Sequence, residues 1–131
     1  MNARAARFVT VGAMGFALQM AVMAWLTIAG WPYLVATALA VEAAVLHNFF
    51  WHVQWTWADR EPSRHVWKRL ARFHAANGLN SVLVNVLGTA LFVELAGVPP
   101  IYAGVLGVGL ATIANFVAAD RCVFATVVAE P

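Results

Sequence analysis

The sequence predicts an all-α membrane protein: four transmembrane helices in one domain, set as two parallel-repeated helical hairpins, with the N and C termini cytoplasmic. Three observations predict it. The 131 residues are 63% hydrophobic and 11% charged, against about 25% charged in an ordinary soluble domain, and the apolar residues form runs close to the roughly 20 that cross a bilayer. All eight Lys and Arg residues lie on one side of those runs. The two halves of the chain also repeat one pattern.

The first span is expected at about 8–30, after Arg4 and Arg7, as an uncleaved helix longer than the apolar core of a signal peptide. Trp31-Pro32 makes a tight turn, with Trp31 and Tyr33 suited to the outer interface. The second span, about 33–51, repeats Ala36, Ala40, Ala44, Asn48 and His52 at four-residue intervals, one helical stripe that lets a neighbouring backbone come close. Glu42 lies off that stripe, about 13 Å along the helix and near mid-bilayer. An ionisable group there is costly and marks a candidate functional site.

Residues 58–72 form the one substantial hydrophilic segment. Pro62-Ser63 looks like a helix start, and Arg64, His65, Lys68, Arg69 and Arg72 alternate with Val66, Trp67 and Leu70. The expectation is a short basic amphipathic helix on the membrane surface. The third span, about 73–95, carries Asn77, Asn80, Ser81 and Asn85 on one stripe too polar to face lipid. That stripe is expected to line a wet cleft or to meet another subunit. Val98-Pro99-Pro100 turns the chain into the fourth span, about 101–119, with Ala103, Gly107, Ala111, Asn115 and Ala119 at four-residue spacing. Neither short turn holds a basic residue, so the positive-inside rule puts both termini and the central segment in the cytoplasm.

The repeat runs through both halves. Arg7-Phe8 opens the first pair of spans and Arg72-Phe73 the second; Asn48-Phe49 is followed nine positions on by Trp57, and Asn115-Phe116 by Phe124. The halves differ where chemistry could sit. Gly12 and Gly15 correspond to Asn77 and Asn80, Glu42 to Gly109, and His52 to Ala119. This asymmetry predicts one polar cleft lined by the second and third helices.

These motifs, with Trp55-Thr56-Trp57 and Arg121-Cys122-Val123-Phe124 closing the two halves, are similar to those of the GtrA family of small polytopic proteins, over nearly the whole chain. The resemblance implies a multi-pass protein of the inner (cytoplasmic) membrane that binds or translocates polyprenyl-phosphate-linked sugars for cell-surface polysaccharide synthesis. A similar domain anchors some polyprenyl-phosphate glycosyltransferases, so a transferase is an implied partner. The family's exit motif usually carries a basic pair before the Trp. Here Val53-Gln54 and Asp120-Arg121 stand in its place, which leaves His52 to supply positive charge in the first copy.

The substrate or lipid contacts expected are Glu42, Asn48, His52, Trp55, Asn77, Asn80, Ser81, Asn85, Asn115 and Arg121, with Arg7 and Arg72 on a phosphate rim. Cationic groups at cytoplasmic helix ends suit a lipid phosphate. Trp55 also fits an interfacial anchor, and Asn48 and Asn115 also fit bonds across helices. The net charge of +2 is explained by topology, and no nucleic-acid partner is expected. One cysteine, Cys122, gives no disulfide framework. His47 and His52 are five apart, poor spacing for ligands on one helical face, and no nucleophile–base pair or phosphate-cradling loop is apparent. The reading is therefore non-enzymatic, without metal or cofactor. Four spans enclose little volume, so a homo-oligomer in contact with membrane lipids is expected. Two further readings stay open: a small proton-coupled exporter of cationic compounds, and a non-transporting anchor for a glycosyltransferase.

Overall fold

The computed structural model describes residues 2–60 and 64–125; within the helices, the side chains of Tyr33, Leu34, Val82, Asn85, Pro100 and Ile101 lie outside the described set, as does the Pro62-Ser63 helix start. Four α-helices form: α1 (Ala3–Ile28), α2 (Tyr33–Trp51), α3 (Val66–Ala96) and α4 (Pro100–Ala118). Two five-residue π segments follow, π1 (His52–Thr56) after α2 and π2 (Ala119–Val123) after α4. No strand occurs among the described residues. The chain divides into two compact units at Asp59/Arg60. One is the α1–α2–π1 hairpin and the other the α3–α4–π2 hairpin.

Both hairpins are packed inside out by the standard of a soluble domain. Ala36, Ala40 and Ala103 are 0% exposed, and Ala44, Gly107, Ala111 and Ala119 are also buried. Phe16, Trp25, Leu79, Val86, Leu91 and Val105 face outward. Water would drive those large side chains inward; a lipid surround does not, and there helices associate through small residues that let backbones meet. The stripe read from the sequence is this contact. In the second hairpin a Cβ on Gly88 would lie 3.7 Å from Gly107 Cα. Exposed Thr10, Thr27 and Thr112 bond their own helix four residues back, at 2.9, 2.7 and 2.8 Å, so their hydroxyls are satisfied without water.

The two turns are built alike. Gly30 (φ 87°) and Gly97 (φ 63°) end the first helix of each hairpin in the left-handed region that favours glycine. Pro32 and Pro99 then cap α2 and α4 with extended backbone. At the opposite end α2 and α4 each widen into a π segment. Trp57 N–H donates to the His52 carbonyl at 2.9 Å, and Phe124 N–H to Ala119 at 2.8 Å. Phe8 meets Trp57 edge to face at 6.0 Å, and Phe73 meets Phe124 the same way at 6.3 Å. The paired aromatic motifs in the two halves therefore close two equivalent wide turns.

Polar side chains tie the helices of each pair. In the first hairpin Asn48 presses its amide against Gly15, where any Cβ would fall 2.0 Å from Asn48 Oδ1. In the second, Asn115 Nδ2 donates to Ser81 Oγ at 3.0 Å and Asn80 Nδ2 to the Ala114 carbonyl at 3.5 Å. Part of the asparagine stripe on α3 thus binds α4 within its own hairpin. Arg60 closes π2: it donates to Asp120 Oδ1 at 2.6 Å and to the carbonyls of Asp120 and Phe124.

Two expectations need correction. The basic segment is no separate surface helix over its second half, because Val66–Arg72 are the first turns of a continuous 31-residue α3. Leu70 and Ala71 carry helical pattern straight into Phe73, and no Pro or Gly interrupts it. Of four expected spans, three helices are long and apolar enough by length and composition: Ala3–Ile28, Val66–Ala96 and Tyr102–Val123. The exception is α2, whose apolar run is diluted by Glu42, His47 and Asn48.

Gly15→Ala should destabilise the first hairpin by about 1–3 kcal/mol through overpacking, and adding Asn48→Ala should recover most of that loss, as read by SDS titration of the purified protein in mixed micelles. Arg60→Ala removes the donor that three acceptors share and should cost about 1.5–3 kcal/mol in the same titration. Arg64→Ala, at an exposed position, should change stability by less than about 0.5 kcal/mol.

Candidate functional site

The basic end of the first hairpin carries the most developed site. There α1 begins, with Asn2 Oδ1 accepting from Arg4 N–H at 3.1 Å. No acidic residue lies in its first turn, so the positive end of the helix dipole meets Arg4 and Arg7 without local compensation. The π segment brings Trp55, Thr56 and, just beyond, Asp59 back against this end. Arg7 Nη1 donates to the Trp55 carbonyl at 3.2 Å, and its guanidinium lies 5.7 Å from the centroid of the Trp55 ring. Arg4 Nη2 donates to Asp59 Oδ2 at 2.6 Å.

Two cavities flank Arg7 and Trp55. A polar cleft of about 560 Å³ is lined by Asn2, Arg4, Arg7, Thr56 and Asp59, among others. One turn further along α1, a second groove of about 320 Å³ is lined by Thr10, Met14, Trp51, Gln54 and Trp55. A cationic cleft and an aromatic groove thus adjoin on one hairpin, with Trp55 lining the groove and holding the arginine of the cleft. That arrangement suits a molecule with an anionic head and an apolar tail.

His52 is not on the rim. It is 2% exposed, stacked on Phe8 at 4.7 Å, edge-on to Trp57 at 5.2 Å, and bonded to Thr56 Oγ1 at 2.9 Å. Burial, with His47 nearby, holds this imidazole, just beyond the end of α2, at a pKa of about 3. It is neutral at working pH and supplies no charge to a phosphate. Its role is to brace the wide turn from inside.

The other expected residues are dispersed. Glu42 is exposed midway along α2, while Asn48 is half-buried and bonded to the His47 ring at 3.2 Å. Asn77 is half-buried, Asn80 and Ser81 meet α4 as described, and the Asn85 side chain lies outside the described residues. Arg72 and Arg121 are exposed at the basic end of the second hairpin. There the corresponding aromatic, Phe124, is covered by Arg69 at 5.4 Å.

Arg4, Thr56 and Asp59 were not anticipated as a group. Arg4 reads as a topology charge, and Asp59 lies 55 positions away. Only the hairpin closure makes them neighbours.

No curated protein matches the chain. The family model described as GtrA/DPMS, transmembrane domain, matches residues 7–124, from the arginine that holds Trp55 to the aromatic that closes π2. That domain is one of membrane proteins in lipid-linked sugar processes. The chain is a multi-pass membrane protein, and it belongs to the GtrA/DPMS transmembrane domain family.

Proposed function

We propose that this protein binds polyprenyl-phosphate-linked sugars at the cytoplasmic face of the inner membrane and passes them across it for cell-surface glycan synthesis. The observation that carries the reading is the polar cleft beside the aromatic groove, with Arg7 and Trp55 at their boundary. The lipid phosphate lies against Arg7 and the start of α1, where a charged donor and a helix N-terminus both favour an anion. The first isoprene units follow the groove along Met14 and Trp51 towards the hydrocarbon. All four helices span the bilayer, α2 included, and Glu42 offers hydroxyl groups a polar contact at depth. Two or more copies enclose the path, and a glycosyltransferase supplies the loaded lipid.

The role is that of a carrier, since the cleft offers positioning groups and no nucleophile. Its basic end distinguishes it from an exporter of cations, which Arg4 and Arg7 would repel.

Arg7→Gln keeps a donor for the Trp55 carbonyl while removing the charge. It should weaken binding of a polyprenyl phosphate sugar about 10- to 100-fold, measured by native mass spectrometry of the detergent-solubilised protein, and should abolish surface glycan modification at normal protein level. Glu42→Gln should retain the lipid yet lose the surface modification. Undiminished lipid binding by Arg7→Gln would overturn the site. Normal glycan in Glu42→Gln would overturn the transport step and favour a non-transporting anchor.

A further inference from the structure

A cleft built only to hold phosphate gains nothing from a carboxylate, yet Asp59 stands in this one. Its side chain is 62% exposed, against 26% for Arg4, so the carboxylate presents the more open face of the pair. The ion pair at 2.6 Å cancels the charge of Arg4. Arg7 meets a neutral carbonyl and an aromatic ring, and no carboxylate among the described residues. The charged side chains lining the cleft are Arg4, Arg7 and Asp59, so one net positive charge is left for a ligand.

That count discriminates among lipid phosphates. A lipid phosphomonoester is largely a dianion at neutral pH, with its second pKa near 6, and a diphosphate carries more charge still. A phosphodiester joining a sugar to the lipid carries one negative charge whatever the pH in this range. It also brings hydroxyl donors, which a carboxylate accepts and a bare phosphate lacks.

We infer that the Arg4/Arg7/Asp59 cleft selects a monoanionic glycosyl phosphodiester over the bare lipid phosphate and the lipid diphosphate, and that Asp59 is the residue that sets this preference. The inference rests on the proposed binding of lipid-linked sugars and deepens it. Asp59 rejects the second phosphate charge by repulsion and accepts from sugar hydroxyls on the side of the cleft opposite Arg7. A carrier with this filter takes its cargo only after the sugar has been attached, and it releases the lipid once the sugar is removed. The reaction that supplies it must therefore be a glycosyl transfer onto a lipid phosphate that leaves a single phosphate between sugar and lipid.

The test uses three synthetic probes with one tail: glucosyl farnesyl phosphate, farnesyl phosphate and farnesyl diphosphate. Each is titrated into wild type, Asp59→Asn and Asp59→Glu in detergent at pH 7.5 and low salt, with circular dichroism to confirm folding. Wild type should bind the glucosyl diester about tenfold more tightly than either other probe, the scale of one charge–charge contact at a partly exposed site. Asp59→Asn should erase that ratio, chiefly by tightening the two more highly charged probes, and Asp59→Glu should keep it. Equal affinities in wild type, or an unchanged ratio in Asp59→Asn, would overturn the assignment while leaving lipid binding intact. Failure of all three probes to bind wild type would overturn the carrier reading itself, and this inference with it.

Discussion

Close approach of helix backbones along a stripe of small residues is the interaction on which the rest depends. Each hairpin meets through alanine and glycine, with Ala36 and Ala40 or Ala103 and Gly107 at the contact. Small residues inside leave no room for large ones, so Phe, Trp, Leu and Val point outward. Their position is then tolerable only in lipid. The same closeness brings amides within reach across the pair, so Asn48 can lie on Gly15 and Asn115 can bond Ser81. It also sets the helix ends side by side, which allows an arginine at the start of one helix to reach carbonyls at the end of the other.

The two hairpins share a plan and differ in what they do with it. In both, a π segment leaves an aromatic residue buried at the turn's end and carbonyls in need of donors. The second hairpin meets that need with Arg60, whose guanidinium is committed to Asp120 and two carbonyls. The first meets it with Arg7, which bonds one carbonyl and keeps its charge facing a cleft. Wide turns of this kind recur at functional sites because they re-aim side chains that a regular helix would hold elsewhere. Here the re-aimed residue is Trp55, which shares in both the cation contact and the apolar groove.

Much of this was legible in the sequence, for identifiable reasons. Four-residue spacing of Ala36, Ala40 and Ala44 has one meaning on a helix, and the burial matches it. The turns at Trp31-Pro32 and Val98–Pro100 follow from proline chemistry. The π segments were not legible, because one extra residue per turn leaves no compositional mark; only the equal nine-residue spacing from Asn48 to Trp57 and from Asn115 to Phe124 hinted at a common device. His52 was misplaced because a histidine near a membrane surface resembles a headgroup contact until Phe8 is seen to stack on it. Asp59 escaped notice for the opposite reason. Its significance depends on Arg4, and pattern along the chain carries no information about a partner that distant.

The outward-facing bulk of both hairpins has a consequence for how the molecule comes into being. A chain whose interior is alanine and glycine has almost no hydrophobic gain to collect by collapsing in water, and its phenylalanines and leucines would sooner meet another chain than fold back. No water-soluble folded form is therefore available as a waiting state. The hairpins must be handed to the bilayer as they leave the ribosome, and lipid is a structural component from the first turn of α1 onward.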